Sequence, residues 1–555
     1  MATSKRLAIT ISGAVSLGSY EAGVLYEVLK ALGEHNLHQD TKPEERIEVD
    51  VLTGASAGGM TAAIAAQVLI AGADRMNGEA ANAFYLPWVK AIDLSGLLDS
   101  NDQKDPPQYS ILASSFVEGI AEQFILDSPS GSRHPAASQS GPIHLGLAMS
   151  NLDGIDYSKP THGTNGGAFT YTRFQDEFTW SLTAADTATW SQIRAAALGC
   201  GAFPFAFRAR ALDRTIKYYP EAAPENFPNG ARKLNYLDGG IFQNEPLGIA
   251  KNLVDLIDDH NDVDSRFYLF VAPGQKLGSA STPATNAADL PMLNAGMALA
   301  KAVFWQARFQ DWIHAKQLNS QIELLNRRAT ALAEMLLANP SLATMLQGPL
   351  ELLLAPFYST TPPVDAVNPA NKSWQSDVNR LRLQFNPLPG KLDVPIDYYT
   401  QLGPDAGDVW LMSILLLERA ANLEGKEEME IYTITSEDDE LGGDPLFAFA
   451  GFIDEEIRQY DYLIGRQKAR AWLRKAEGGL FPIRASFDDA EPAPDPKLGK
   501  WKINQFDQTK REALRDRIKD RLDLVLKAAG IGWVGRKALE VFFIDGKVDQ
   551  LLGLD

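Results

Sequence analysis

Apolar positions along the first 75 residues change period twice over. Leu7–Ser12 is a short run rich in β-branched residues and predicts a buried strand. Tyr20–Leu32 follows a glycine-containing turn and carries Val24, Leu25, Val28 and Leu32 at helical spacing. The same pair repeats: Val49–Thr53 predicts a second buried strand, and Met60–Ile70 a long apolar helix beyond a Gly-Ala-Ser-Ala-Gly-Gly turn. Strand, turn, helix, twice in succession, argues for an α/β fold with parallel strands. Lys5 and Arg6 precede the first apolar run as they would in a signal peptide, but Thr10, Ser12 and Ser16 interrupt it, so a first core strand is the better reading.

Farther along, residues 127–143 are rich in Ser, Pro, Gly and Ala and predict an exposed or mobile loop. Phe169–Phe178, Lys233–Leu237 and Arg266–Val271 predict further strands. The pattern then changes character. Residues 275–292 are loop-like, 293–340 read as helix, 355–373 are again rich in Pro, Thr and Asn, and Val409–Leu423 is a very apolar helix. Glu427–Thr435 predicts one strand, and 445–475 and 507–529 further helices. At 555 residues the chain exceeds what one core sustains, about 250–300 residues, so two units are expected: 1–280 and a mainly α-helical accessory region over 281–555. No stretch reaches the roughly 18 apolar residues of a membrane-spanning helix.

Composition narrows the partners. The formal net charge is −19, which repels phosphate backbones and argues against nucleic acid. It equally opposes adsorption to anionic membranes by charge alone, so any lipid contact has to be apolar or locally basic. Cys200 is the only cysteine, which excludes an intrachain disulfide and suits a reducing compartment. With one cysteine and no His pair of zinc-binding spacing, no metal is expected.

Three short segments carry candidate chemistry. Gly54-Ala55-Ser56-Ala57-Gly58 is a G-x-S-x-G pentapeptide lying between a predicted strand and a predicted helix. There a serine sits on a sharp turn with its hydroxyl exposed, the glycines Gly54 and Gly58 relieve crowding, and the helix N-terminus favours developing negative charge. The plainer alternative is Ser56 as a helix cap. Gly13-Ala14-Val15-Ser16-Leu17-Gly18 also joins a strand to a helix, and its amides could hold an oxyanion; a plain βα turn is the alternative. Nucleotide binding is disfavoured, since G-x-G-x-x-G and the P-loop lysine are both absent. Asp238-Gly239-Gly240 follows an apolar strand, where α/β ligand sites form, although Asp-Gly is also a common turn. A Ser-Asp-His triad in α/β-hydrolase order needs a histidine after Asp238, and His260 and His314 both lack a motif. A serine paired directly with aspartate is the economical alternative.

In this order the three segments resemble the patatin-like phospholipase family, which combines a glycine-rich oxyanion loop, a G-x-S-x-G turn and a D-G-G/A motif. Tyr20-Glu21-Ala22-Gly23-Val24-Leu25, Asn244 and Pro246 at their spacing from Asp238, and Ala197–Phe207 extend the resemblance. It implies an α/β, three-layer fold with a mostly parallel central sheet, plus a mainly helical C-terminal region. It implies a serine lipid acyl hydrolase of phospholipase A or lipase type, with Ser56 and Asp238 as a catalytic dyad. The same resemblance gives Gly13, Ala14 and Val15 as the oxyanion hole, and Gly239 and Gly240 as the base motif. No cofactor is implied. The family usually has more glycines in the first loop and a basic residue before its last one; here Ala14, Val15 and Leu17 stand in that loop. Acyl lipids, neutral glycerolipids and simple esters are therefore all expected substrates, and a catalytically weak scaffold or lipid-binding protein is the alternative. Phe447–Arg466 resembles the C-terminal region of long bacterial patatin-related proteins. The basic stretch 500–544, with Trp533, Phe542 and Phe543, predicts packing on the body or transient lipid-surface contact. The expected location is cytoplasmic, peripheral at membranes where such contact forms.

Overall fold

A computed structural model describes residues 4–99, 109–139, 141–161, 167–186, 189–219, 222–257, 266–274, 310–358, 375, 377–378, 381, 398–421, 429–437, 440–444, 448–475, 483–487, 490–499, 507–528, 530–533, 536–537 and 548–554. In chain order the principal elements are β1 (Lys5–Ile11), α1 (Gly18–Leu37), β2 (Ile47–Gly54), α2 (Ser56–Ala71), α3 (Ser114–Phe124), β3 (Ile143–Thr161) and β4 (Gly167–Leu182). There follow α4 (Trp190–Cys200), β5 (Arg210–Thr215), β6 (Ala231–Asp238), α5 (Leu247–Ile257) and β7 (Arg266–Ala272). The second half supplies α6 (Gln310–Ala338), α7 (Ser341–Tyr358), α8 (Tyr398–Ala420), β8 (Ile431–Thr435), α9 (Glu455–Arg474) and α10 (Gln508–Ala528).

The strands form one mixed sheet in the order β5-β6-β3-β2-β1-β7-β8, with β4 pairing β3 off this path. Its centre is parallel: β1 pairs β2 and β7, β2 pairs β3, and β7 pairs β8. The β3–β4, β3–β6 and β5–β6 pairings are antiparallel. Alternation along β1 sends Leu7, Ile9 and Ile11 into the core shared with α1, α2 and α4, while Ala8 faces α5 and the start of α6. Helices thus cover both faces, giving three layers with a mostly parallel centre, as expected.

Three placements differ from the expectation. The strand β3 and its long antiparallel pairing with β4 begin where the Ser/Pro-rich stretch ends, and composition hid them. Within that stretch Ala136 and Ala137 are buried, and Ala137 bridges Val49 of β2, so part of the supposed exposed loop is an extension of the sheet. The boundary near 280 lies outside the described residues, as do 275–309. Beyond it, α6, α7 and α8 form a helical cluster with its own apolar centre around Ala329, Leu336, Leu354, Trp410 and Ile414. Residues 429–475 instead return to the first half. There β8 extends the sheet, and α9 crosses α1 so closely that a side chain on Gly23 would stand 2.0 Å from the Tyr462 carbonyl, and one on Gly465 2.1 Å from that of Tyr20. Glycine on both helices permits this approach. Beside the crossing, buried Glu27 accepts from both Arg466 and Arg470. Among the described residues no helix is long and apolar enough to cross a membrane.

Candidate active site

The parallel strands β1 and β2 end side by side, and the turns that leave them face each other. The chain turns sharply out of β2 at Gly54–Ala55, and α2 begins at Ser56 itself, four residues before the start of the predicted apolar helix. Ser56 has φ +52°, a left-handed backbone conformation that costs a non-glycine residue energy unless its surroundings enforce it. They do: a side chain on Gly54 would stand 2.3 Å from the Gly58 carbonyl oxygen, and one on Gly58 2.2 Å from that of Ser12. Both glycines of the pentapeptide are therefore demanded by close packing, and the strained turn lifts the Ser56 hydroxyl off the end of the sheet.

Asp238 ends β6, held by three backbone contacts. Its amide donates to the Ala202 carbonyl at 3.0 Å, its own carbonyl accepts from Ser150 Oγ at 2.7 Å, and Gly240 N–H donates to its Oδ1 at 2.7 Å. A side chain on Gly239 would stand 2.1 Å from the Ala148 carbonyl of β3, so only glycine lets β6 lie this close. The remaining carboxylate oxygen, Oδ2, accepts from Ser56 Oγ at 2.6 Å. Asp238 is 1% exposed and Ser56 7%. Burial raises the Asp238 carboxyl from 3.8 to about 7, against the opposing pull of the bonds from Ser56 and Gly240. A carboxylate with that affinity for a proton is matched to general-base work near neutral pH.

The loop 13–17 passes over this pair, and here one expectation changes. Gly13 N–H donates to the Asn244 carbonyl at 2.9 Å, so it is not available to an oxyanion. Gly13 matters sterically instead: a side chain there would stand 2.1 Å from Asn244 Oδ1 and 3.1 Å from Ser56 Cβ. The amides of Ala14 and Val15 are not given to a backbone carbonyl among the described residues. Val15 has φ +53°, which turns the backbone over at this point. The Ala57 amide, in the first turn of α2, reaches no intrahelical carbonyl and adds a donor that the sequence reading omitted. Among the described residues, the amides in these two turns that go to no backbone carbonyl are thus those of Ala14 and Val15 before α1 and of Ala57 at the start of α2.

The surroundings draw on distant sequence. Ser16 donates its hydroxyl and its amide to the Ala448 carbonyl, and its Oγ accepts from Gly451 N–H at 3.2 Å, so a segment of the second half braces the loop. Nothing in the local motifs signals this. Cys200 lies beneath the site, its thiol donating to the Gly54 carbonyl at 3.8 Å, and burial pushes that thiol well up. Of the histidines, His35 is occupied at both ring nitrogens, by the Glu45 carbonyl and the Arg484 amide, and His314 is exposed on α6. His260 lies outside the described residues. Among the described residues no group of His, Cys, Asp and Glu is arranged to hold a metal.

Residues 9–251 match the patatin-like phospholipase family. Over this part the chain is similar to that family. The family is one of lipid acyl hydrolases, and its match runs from within β1 into the first turns of α5, so all three candidate segments lie inside it. The uncharacterized protein y4iI of Sinorhizobium fredii (strain NBRC 101917 / NGR234) is 27% identical over 281 residues, covering 39% of this chain. The matched part spans 38% of that relative's length.

Proposed function

We propose that the chain is a serine lipid acyl hydrolase working through a Ser56–Asp238 dyad, with no cofactor and no histidine. The observation that carries this is the 2.6 Å hydrogen bond from Ser56 Oγ to Asp238 Oδ2 on a strained turn at the end of a parallel sheet. In the forward step Ser56 Oγ bonds to the ester carbonyl carbon as its proton passes to Asp238. The carbonyl oxygen becomes an oxyanion facing the Ala14, Val15 and Ala57 amides, where preorganised donors are most effective. The carbonyl re-forms as the ester C–O bond breaks, the leaving alkoxide takes the proton from Asp238 and departs as the alcohol, and an acyl-enzyme with an ionised Asp238 remains. Water then gives its proton to Asp238 and attacks the acyl carbon, and collapse releases the fatty acid and returns the proton to Ser56.

Acyl esters of neutral or zwitterionic lipids suit the site, since Leu17 stands where the family usually offers a basic side chain and the chain's net charge is −19. Contact with a lipid surface would be local, and exposed Trp533 beyond α10 is one apolar anchor; Phe542 and Phe543 lie outside the described residues. A cytoplasmic setting accords with one buried, unpaired cysteine. Turnover of p-nitrophenyl butyrate tests the assignment. The dyad predicts that Ser56→Ala abolishes it and that Asp238→Asn lowers kcat by two orders of magnitude or more. Unchanged turnover by Ser56→Ala would remove the assignment. Absence of turnover by folded wild type would favour the scaffold reading, in which the occupied Gly13 amide has cost the site its oxyanion hole.

A further inference from the structure

Val15 has a left-handed backbone, φ +53°, which is costly for a β-branched residue and persists only where neighbours impose it. Its conformation sets the direction of the planar peptide between Ala14 and Val15, and so of the Val15 amide, which goes to no backbone carbonyl among the described residues. Within the loop, Leu17 N–H closes a turn on the Ala14 carbonyl at 3.0 Å. On the C-terminal side of Val15 the hold comes from the second half of the chain, through Ser16.

Ser16 is fully buried and lies against two glycines of that half. A side chain on Gly443 would stand 3.1 Å from Ser16 Oγ, and one on Gly451 2.6 Å from it. The Ser16 amide donates to the Ala448 carbonyl at 3.0 Å, and Ala448, itself at φ +65°, donates its amide to the Asp444 carbonyl at 3.1 Å. The helix α9 fastens the chain on either side of Ala448. On one side, Gly442 and Gly443 donate their amides to the two carboxyl oxygens of Asp461, at 2.7 and 2.9 Å. On the other, Arg458 donates to the carbonyls of Gly451 and Phe452, at 3.0 and 3.3 Å. Asp461 is completely buried, and among the described residues no cation pairs with it. Burial pushes its carboxyl up to about 8, against the pull of the two glycine amides.

We infer that Asp461 is a positioning residue for ester hydrolysis: through Gly442, Gly443 and the Ala448 carbonyl it holds Ser16, and with it the Val15 amide, in place. The inference rests on the reading of Ser56 as nucleophile and of the 13–17 loop as its oxyanion loop. Asp461 touches no reacting atom and acts only through the chain around Ala448. The stretch matched to the patatin-like family ends at residue 251, so the site takes this part from outside it. In either protonation state both oxygens of Asp461 can accept a hydrogen bond, whereas asparagine accepts at one and turns a donor towards the other glycine amide. Asp461→Asn therefore loosens the brace while keeping the shape of the side chain.

The test is a double-mutant cycle of Ser16→Ala and Asp461→Asn in the full chain, with kcat and KM measured on p-nitrophenyl butyrate at a temperature where calorimetry shows each protein folded. Preorganised donors act on the transition state, so each single variant should lose at least about tenfold in kcat with KM within about twofold. Because both residues act through one brace, the double variant should lose no more than about threefold beyond the more impaired single one. A merely structural role would lower Tm and leave kcat at the wild-type level; that result in either folded single variant overturns the inference. Losses that multiply in the double variant put the two residues on separate routes and overturn it as well. If Asp461→Asn does not fold, Gly443→Ala takes its place in the cycle, since its methyl group drives Asp461 Oδ2 and Ser16 Oγ apart with the carboxyl intact, and the same outcomes apply. Absence of turnover by folded wild type overturns the nucleophile reading, and the positioning role with it.

Discussion

Replacing Asp238 by asparagine removes a charge that the fold buries almost completely, and its effect on stability depends on pH. Burial raises the carboxyl from 3.8 to about 7. A group whose folded affinity for a proton exceeds its unfolded one stabilises the protonated fold. That contribution is whole below about pH 4, declines between pH 4 and 7, and is lost above 7. The displacement of roughly three pH units corresponds to about 4 kcal/mol, at about 1.4 kcal/mol per unit. Wild type therefore carries an ionised, buried carboxylate above pH 7 that Asp238→Asn does not. Asparagine keeps the shape and can still meet Ser56 Oγ and Gly240 N–H, so little is lost near pH 4.5. Unfolding of both proteins followed by calorimetry at pH 4.5 and 8.5 should show near-equal Tm at the lower pH. At the higher pH the variant should be more stable by on the order of 2–4 kcal/mol, equivalent to several degrees. An identical difference at both pH values would refute the claim that the carboxylate is ionised at a penalty in the folded site, and with it the account of its basicity.

Other consequences follow from the same geometry. Gly13→Ala places a methyl group against Asn244 Oδ1 and Ser56 Cβ, so kcat should fall at least a hundredfold with Tm reduced by only a few degrees, measured by ester turnover and calorimetry. Cys200 is fully buried with its thiol pushed well up, so a disulfide reagent such as DTNB should leave it unmodified in the native protein and titrate one thiol after denaturation. Glu27→Gln leaves the buried Arg466 and Arg470 without their shared carboxylate and should destabilise by about 3–5 kcal/mol, seen in denaturant unfolding. Gly465→Ala pushes α9 off α1 at the Tyr20 carbonyl and should lower Tm and also turnover, because the segment that braces Ser16 leads directly into α9.

Much of the site was legible because its constraints are local. A glycine two residues from a serine, after a β-branched strand and before an apolar helix, reports a crowded turn, and Gly54 and Gly58 are needed for that reason. The alternation in Leu7–Ser12 and Arg266–Val271 located two central parallel strands, β1 and β7, to within a residue or two. What escaped depends on contacts remote in sequence. Nothing near Gly13 indicates that its amide is spent on Asn244, more than two hundred residues away, although the DGGxxxNxP spacing marks Asn244 as positioned. Nor does the periodicity of residues 427–435 say that β8 completes the first-half sheet; a five-residue strand records burial but not its neighbour. Composition misjudged residues 127–143 because alanine and serine fit both a loop and a tightly packed sheet margin, and Ala136 and Ala137 are the latter.

The most direct test of the central claim is the mass of the intact protein after reaction with a fluorophosphonate, in wild type, Ser56→Ala and Asp238→Asn, with the modified peptide sequenced. The account predicts a single adduct on Ser56 in wild type, none in Ser56→Ala, and adduct formation slowed at least tenfold in Asp238→Asn, since the proton of Ser56 then has no base to accept it. An adduct on another serine, or labelling that survives Ser56→Ala, would contradict the account.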